Sequence, residues 1–162
     1  MFLHGFWDGG EKAYGIVIYI RFFDPKIGKY KTRLLFSSSR VAPTNKPLST
    51  PRKELAGAAF LVEIVLKIAE HWDVPNTHIF LHCDSKVVLQ WIKQDTNKQT
   101  VWVRNRVLKI QRVNLPFFWT PTHKNPADKV SKVTQPKNYV NNVSWTEAPT
   151  YLQDPEEKWK IE

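Results

Sequence analysis

The apolar positions of this chain change period as it proceeds. Residues 13–23, Ala-Tyr-Gly-Ile-Val-Ile-Tyr-Ile-Arg-Phe-Phe, are dense in β-branched and aromatic side chains and predict a strand. A shorter strand precedes it over residues 2–8 and ends at Asp8, before Gly9-Gly10. The turn residues of Asp24-Pro25-Lys26-Ile27-Gly28-Lys29 lead into a third strand from Tyr30 to Ser37, so the second and third strands predict an antiparallel hairpin. Residues 38–50 carry Ser, Pro and Asn without periodicity and predict a loop. From Thr50, a good cap, and Pro51, a good first helical residue, the period becomes helical and runs to about Trp72.

In that helix Leu55, Ala59, Val62, Leu66 and Ala69 make one apolar row, and Ala58, Leu61, Val65, Ile68 and Trp72 the next. Glu63, Lys67 and Glu70 lie on the opposite, wet side. Glu54 stands one turn before Ala58, in the inward row, where a carboxylate is costly unless something compensates it. Ile79-Phe80-Leu81-His82-Cys83 then predicts a strand buried on both faces, halted by Asp84. Helices are predicted from Ser85 to about Gln94 and over 101–114, a short strand over Leu115–Thr120, and a last helix opened by Asn125-Pro126-Ala127-Asp128. The order predicts an α/β domain, a mixed sheet flanked by helices. We expect that domain over residues 1–133, with 134–162, rich in Pro, Asn and Trp, as a C-terminal extension packing on it or trailing it.

Composition narrows the chemistry. Lys and Arg number 24 against 15 Asp and Glu, a formal charge of +9, which suits a polyanion. No helix is both basic and strongly apolar on its opposite face, so a membrane partner is not expected. The single cysteine, Cys83, excludes an internal disulfide and reads as a small core residue. The N-terminus lacks the pattern of a signal peptide, and an intracellular setting is expected. A zinc site from His78, His82 and Cys83 is disfavoured, because strand alternation sends His82 and Cys83 to opposite faces; His4, His71, His78 and His82 read as structural.

Four acids remain. Asp8 and Asp84 end apolar strands, Glu54 faces inward on a helix, and Asp128 stands at a helix start. Each alone has an ordinary explanation: turn former, helix cap, or first-turn acid favoured by the helix dipole. Together they can converge at one rim of a sheet. Clustered carboxylates raise one another's pKa, and hard divalent cations relieve that repulsion. The expected cofactor is Mg²⁺ or Mn²⁺ as two ions, a pair suited to phosphodiester cleavage.

The local strings resemble a known family. His4-Gly5-Phe6-x-Asp8, Glu11-Lys12-Ala13-Tyr14-Gly15, Ser39-Arg40-Val41-Ala42-Pro43, Pro51-Arg52-x-Glu54-Leu55, Asp84-Ser85-x-Val87-Val88-Leu89-x-Trp91, Asn105-Arg106-Val107 and Asn125-Pro126-Ala127-Asp128 are similar to the ribonuclease H region of BEL/Pao-type LTR retrotransposon polyproteins. The tail Pro155-Glu156-Glu157-Lys158-Trp159 is similar to the segment C-terminal to that region. The resemblance implies an RNase H-like five-stranded sheet with its first three strands antiparallel. It implies hydrolysis of the RNA strand of an RNA/DNA hybrid, and an adjoining reverse transcriptase domain as a partner.

By position, Asp8, Glu54, Asp84 and Asp128 would be the catalytic, metal-holding acids. Contacts to nucleic acid are implied for Arg52, Ser85, Arg104, Asn105, Arg106, Lys109 and Arg112. Trp119 stands where relatives carry a loop His; His123, five residues before Asp128, can replace it as a proton shuttle. Trp7 beside Asp8, where relatives have a small residue, is expected to crowd the site, and Gly9-Gly10 replaces the more usual Ala-Ser. A degenerate copy that only binds nucleic acid is the alternative. An integrase-type core fits the inward helical acid less well.

Overall fold

The computed structural model describes residues 1–132 and 134–159. Five strands, β1 (Phe2–Gly9), β2 (Ala13–Asp24), β3 (Lys29–Val41), β4 (Ile79–Cys83) and β5 (Phe117–Trp119), form one sheet in the order β3-β2-β1-β4-β5. The first three pair antiparallel, while β4 lies parallel to both β1 and β5. β1 sits at the centre, as its almost unbroken burial requires. β3 is longer than its sequence pattern predicts. Beyond Ser37, Ser38 and Ser39 pair with Ile16 and Gly15 despite their polarity, because an edge strand keeps one side in water.

Helices α1 (Thr50–His71), α2 (Lys86–Lys93) and α3 (Val101–Gln111) cover one face of the sheet. Leu55, Ala58, Leu61 and Val65 of α1 join Leu3, Trp7, Ile16 and Ile18 of the sheet in the larger core. The cap of α1 is Ser49 rather than Thr50, which is already helical, and α3 ends at Gln111, before the expected 114. The helix expected to open at Asn125-Pro126-Ala127-Asp128 is a single turn, α4 (Asp128–Ser131), beginning after Pro126 and Ala127 instead of at them.

The other face is covered by the C-terminal stretch, with α5 (Val143–Thr146) and several 3₁₀ turns. Trp145, Leu152 and Trp159 pack with Phe6, Val17, Tyr19 and Phe80 in a second core. Polar bonds hold this layer down. The buried Arg21 guanidinium donates to the carbonyls of Leu152 at 2.7 Å and Asp154 at 2.8 Å, and lies 3.6 Å from the Tyr30 ring centre. Tyr19 Oη donates to the Trp145 carbonyl at 2.7 Å. His82 bridges His4 and Tyr151 at 3.1 Å each. The boundary expected at 133/134 falls on a residue outside the described ones, as do residues 160–162.

Candidate active site

The sheet brings two of the acids to one rim. β1 and β4 run parallel in the register Phe6↔His82, so Asp8 and Asp84 occupy equivalent positions two residues further on. By alternation both share the face of Phe6 and His82, the side of the C-terminal layer. Trp7 points the other way. Its indole is fully buried on the α1 side, edge-on to Phe117, so the crowding expected from sequence does not occur. Glu54 reaches the same rim from the first turns of α1, and Asp128 opens α4 beside it.

Gly9 and Gly10 make this approach possible. A Cβ on Gly9 would lie 2.6 Å from the Glu54 backbone nitrogen and 2.7 Å from its Cγ. On Gly10 it would lie 2.5 Å from the Ser131 carbonyl oxygen. The pair that departs from the family pattern is therefore the seat of both α1 and α4.

The acids sense one another. Burial raises the Asp8 carboxyl above the usual carboxylate range, and Asp84 and Asp128 push in the same direction. Burial also raises Glu54, with Asp8 and Asp84 adding to it. Yet among the described residues no three acid, His or Cys side chains stand close enough to hold one ion. Each acid is instead turned toward a donor of its own. Ser131 Oγ donates to Asp8 Oδ2, and Ser85 Oγ donates to Glu54 Oε2 at 2.5 Å. Lys132 Nζ lies 2.7 and 2.8 Å from the two carboxylate oxygens of Asp128. Asn125 Nδ2 donates to the Trp7 carbonyl at 2.9 Å and lies 3.5 Å from Asp84 Oδ1. An all-oxygen set with two carboxyls raised by burial and repulsion suits a hard divalent cation in chemistry.

Asp84 does not cap the helix after it. Ser85 does, accepting from the Val88 N–H at 3.3 Å, which leaves the Asp84 carboxylate for the rim. Trp119, at the end of β5, donates its indole N–H to the Asp84 carbonyl at 3.2 Å. His123 sits exposed in a 3₁₀ turn after β5, on a cavity of about 460 Å³ shared with Lys124, Asn125 and Lys129. Ser131, Lys132 and Asn125 were not singled out from sequence as site residues. Only the Asn-Pro-Ala-Asp string marked their neighbourhood.

The basic residues divide by what their side chains touch. Arg104 donates to the carbonyls of Thr96 at 2.9 Å and Gln99 at 3.0 Å, which ties down the loop before α3. Arg106 lies 3.6 Å from the Trp102 ring centre, and Arg52 sits 5.5 Å from the same ring. Asn105, Lys109 and Arg112 are exposed at the surface of α3 and its C-terminal end.

Solved structures share this architecture. The N-terminal RNase H domain of a Mycobacterium tuberculosis protein, studied as a fusion with maltose-binding protein, superposes with a TM-score of 0.56 at 14% identity, over 80% of this chain and 92% of that one. RNase H1 from the halophilic archaeon Halobacterium salinarum gives 0.54 at 14% identity, over 80% and 97%. LC11-RNase H1, isolated from compost, gives 0.51 at 18%, over 80% and 90%. At these identities the likeness concerns the fold, which is that of ribonuclease H. No curated protein matches the chain in sequence. A family model described as the Pao retrotransposon-like RNaseH-like domain matches residues 1–85, just over half of the 162, and the chain belongs to that family.

Proposed function

We propose that this domain is a divalent-metal-dependent ribonuclease H that cuts the RNA strand of RNA/DNA hybrids during retroelement reverse transcription. The observation that carries the reading is the arrival of Asp8, Glu54, Asp84 and Asp128 at one rim of an RNase H sheet, with the carboxyls of Asp8 and Glu54 raised by burial and by their neighbours. Mg²⁺ or Mn²⁺, as a pair of ions held by these four, would supply charge neutralisation at the phosphate and activation of the attacking water.

The chain's own residues set the stage for that chemistry. The strand tips fix Asp8 and Asp84, and the seat on Gly9 fixes Glu54. Ser85 and Ser131 aim the Glu54 and Asp8 carboxylates, and Lys132 balances Asp128 until substrate and ions arrive. His123, on its exposed turn, is the candidate to exchange a proton with the leaving group. Arg52, Ser85, Asn105, Arg106, Lys109 and Arg112 are proposed to hold the hybrid, whose RNA strand differs from DNA by the 2′-hydroxyl that such sites read. Arg104 supports the loop before α3 instead. In a polyprotein, an adjoining reverse transcriptase domain would add to the grip. Among the described residues no helix is long and apolar enough to cross a membrane.

One observation favours a second reading. Every acid already has a protein donor, as in a site that binds nucleic acid without turnover. Incubation with a hybrid labelled on RNA, in Mg²⁺, separates the two. The nuclease predicts RNA fragments that vanish in Asp84→Asn, and the binding module predicts retention of the hybrid with no cleavage.

A further inference from the structure

The cavity beside His123 lies where the rim meets the C-terminal layer, and none of the four acids lines it. Its walls come from short pieces of chain: the 3₁₀ turn Thr122–Lys124, the segment leading into α4, α5, and the 3₁₀ turn Thr150–Gln153. At about 460 Å³ it falls in the size range of small-ligand sites, about 300–1,000 Å³. Pro126 and Ala148, both buried, and the half-buried Pro149 give it an apolar floor.

The charge around that floor is one-sided. Lys124 and Lys129 line the cavity, and no ion pair among the described residues involves either. Glu147 lines it too, but its carboxylate faces Arg33 at 3.6 Å. A ligand matched to this lining joins an apolar body to negative charge. Asn125 connects the cavity to the rim. It is buried, lines the cavity, donates through Nδ2 to the Trp7 carbonyl at 2.9 Å and lies 3.5 Å from Asp84 Oδ1. A strand lying on the acids therefore reaches the cavity across one side chain.

We propose that this cavity receives one unpaired nucleotide of the RNA strand where that strand leaves the hybrid, its base on the Pro126–Ala148–Pro149 floor and its phosphates on Lys124 and Lys129. The assignment rests on the reading of this domain as a hybrid nuclease, which puts the RNA strand at the acids. The nucleotide must be unpaired, because a base inside a duplex cannot enter a pocket of this kind. Thr150 and Gln153, exposed on the lining, supply a hydroxyl and an amide for the base edge. An acidic peptide carries the same charge. It is disfavoured because peptides dock by adding a strand to a sheet edge or laying a helix in a groove. The helical pieces here are three or four residues long, and no strand lines the cavity.

The test compares fluorescein-labelled RNA/DNA hybrids that are blunt, or carry a three-nucleotide unpaired tail on the RNA strand at either end, or the same tails on the DNA strand. Binding to the full chain is read by anisotropy over a range of salt, with EDTA to prevent cutting. A tail on the RNA strand should tighten binding at one end. Two phosphates at about 0.7 each steepen the slope of log K on log salt by about 1.4, so the gain from the tail grows about 25-fold between 1 M and 0.1 M salt. Lys124→Gln/Lys129→Gln should remove that gain, and so should Thr150→Trp, which fills the cavity from an exposed position and leaves both lysines. Lys26→Gln/Lys29→Gln, at the turn between β2 and β3, should keep it. No gain from an RNA tail, an equal gain from a DNA tail, or a gain that survives in both cavity variants with circular dichroism intact overturns the proposal. So does a labelled oligoglutamate that binds the wild type and not the cavity variants while the tails add nothing, an outcome that assigns the cavity to a protein partner. Cleavage is scored separately with Mg²⁺. A wild type that cuts but gains nothing from a tail sinks the cavity alone, and one that gains from the tail but does not cut sinks the nuclease alone.

Discussion

Gly9→Ala offers the sharpest probe of how the rim is assembled. The added methyl would stand 2.6 Å from the Glu54 backbone nitrogen, where ordinary contact needs at least 3.4 Å. The start of α1 must therefore retreat by about 0.8 Å, the difference between the two, because the Glu54 nitrogen belongs to backbone that cannot swing aside. Overpacking of this kind costs about 1–3 kcal/mol, which at about 2 kcal/mol lowers Tm by roughly 4–8 °C in a domain of this size. The larger effect falls on chemistry. A misplacement near 1 Å of a group that must be aligned costs about 10²-fold in rate. Gly28→Ala is the control: its φ of 65° makes the substitution strained, but nothing lies within 4 Å, so it should lower Tm slightly and leave cleavage unchanged. The measurements are thermal unfolding by circular dichroism and initial rates of hybrid cleavage in Mg²⁺. A Gly9→Ala protein that cuts at the wild-type rate would refute the view that this glycine sets the position of Glu54.

Three further outcomes are expected. Glu54→Gln should abolish cleavage yet raise Tm at pH 7: burial and the neighbouring acids raise this carboxyl in the native state, so its contribution to stability is present at low pH and is lost as pH rises through the native pKa. A Tm that falls instead would contradict the repulsion at the rim. Burial holds His4 well below its usual value, and His82 down to about 3 from 6.5. Stability should therefore be full above about pH 6.5 and decline below it by about 1.4 kcal/mol per pH unit for each histidine, as urea titrations at pH 7 and pH 5 would measure; His82→Asn should flatten that slope, and an unchanged slope would count against neutral burial. Finally, Lys132→Met removes the cation paired with Asp128 and should tighten Mn²⁺ binding several-fold by calorimetry, whereas weaker binding would mean that Lys132 supports the ions.

Much of this architecture was legible in the order of residues, and the reasons differ by element. The inward place of Glu54 follows from its phase with Ala58 and Leu61 in a long helix, where a 3.6-residue period leaves little freedom. β4 was legible because a strand buried on both faces has to be apolar throughout. The far end of β3, beyond Ser37, was not, since Ser38 and Ser39 lie on an edge and carry no burial signal. The donors that hold the acids were hidden for another reason. Ser131 lies 123 residues from Asp8, and Ser85 lies 31 from Glu54, so only the closed fold brings them together. Local pattern also misjudged Trp7. Its size suggested crowding, but alternation along β1 places it behind the site, against α1. The C-terminal layer has no period of its own, and its attachment through Arg21, Tyr19 and His82 depends on single long-range bonds.

The claim on which the account stands is that four carboxylates act as one cation site, and Mn²⁺ titration monitored by calorimetry and electron paramagnetic resonance tests it most directly. The account predicts two bound ions in the intact protein, at least one of them lost in Asp8→Asn with the fold retained. Absence of specific Mn²⁺ binding, or binding that Asp8→Asn leaves untouched, would contradict it.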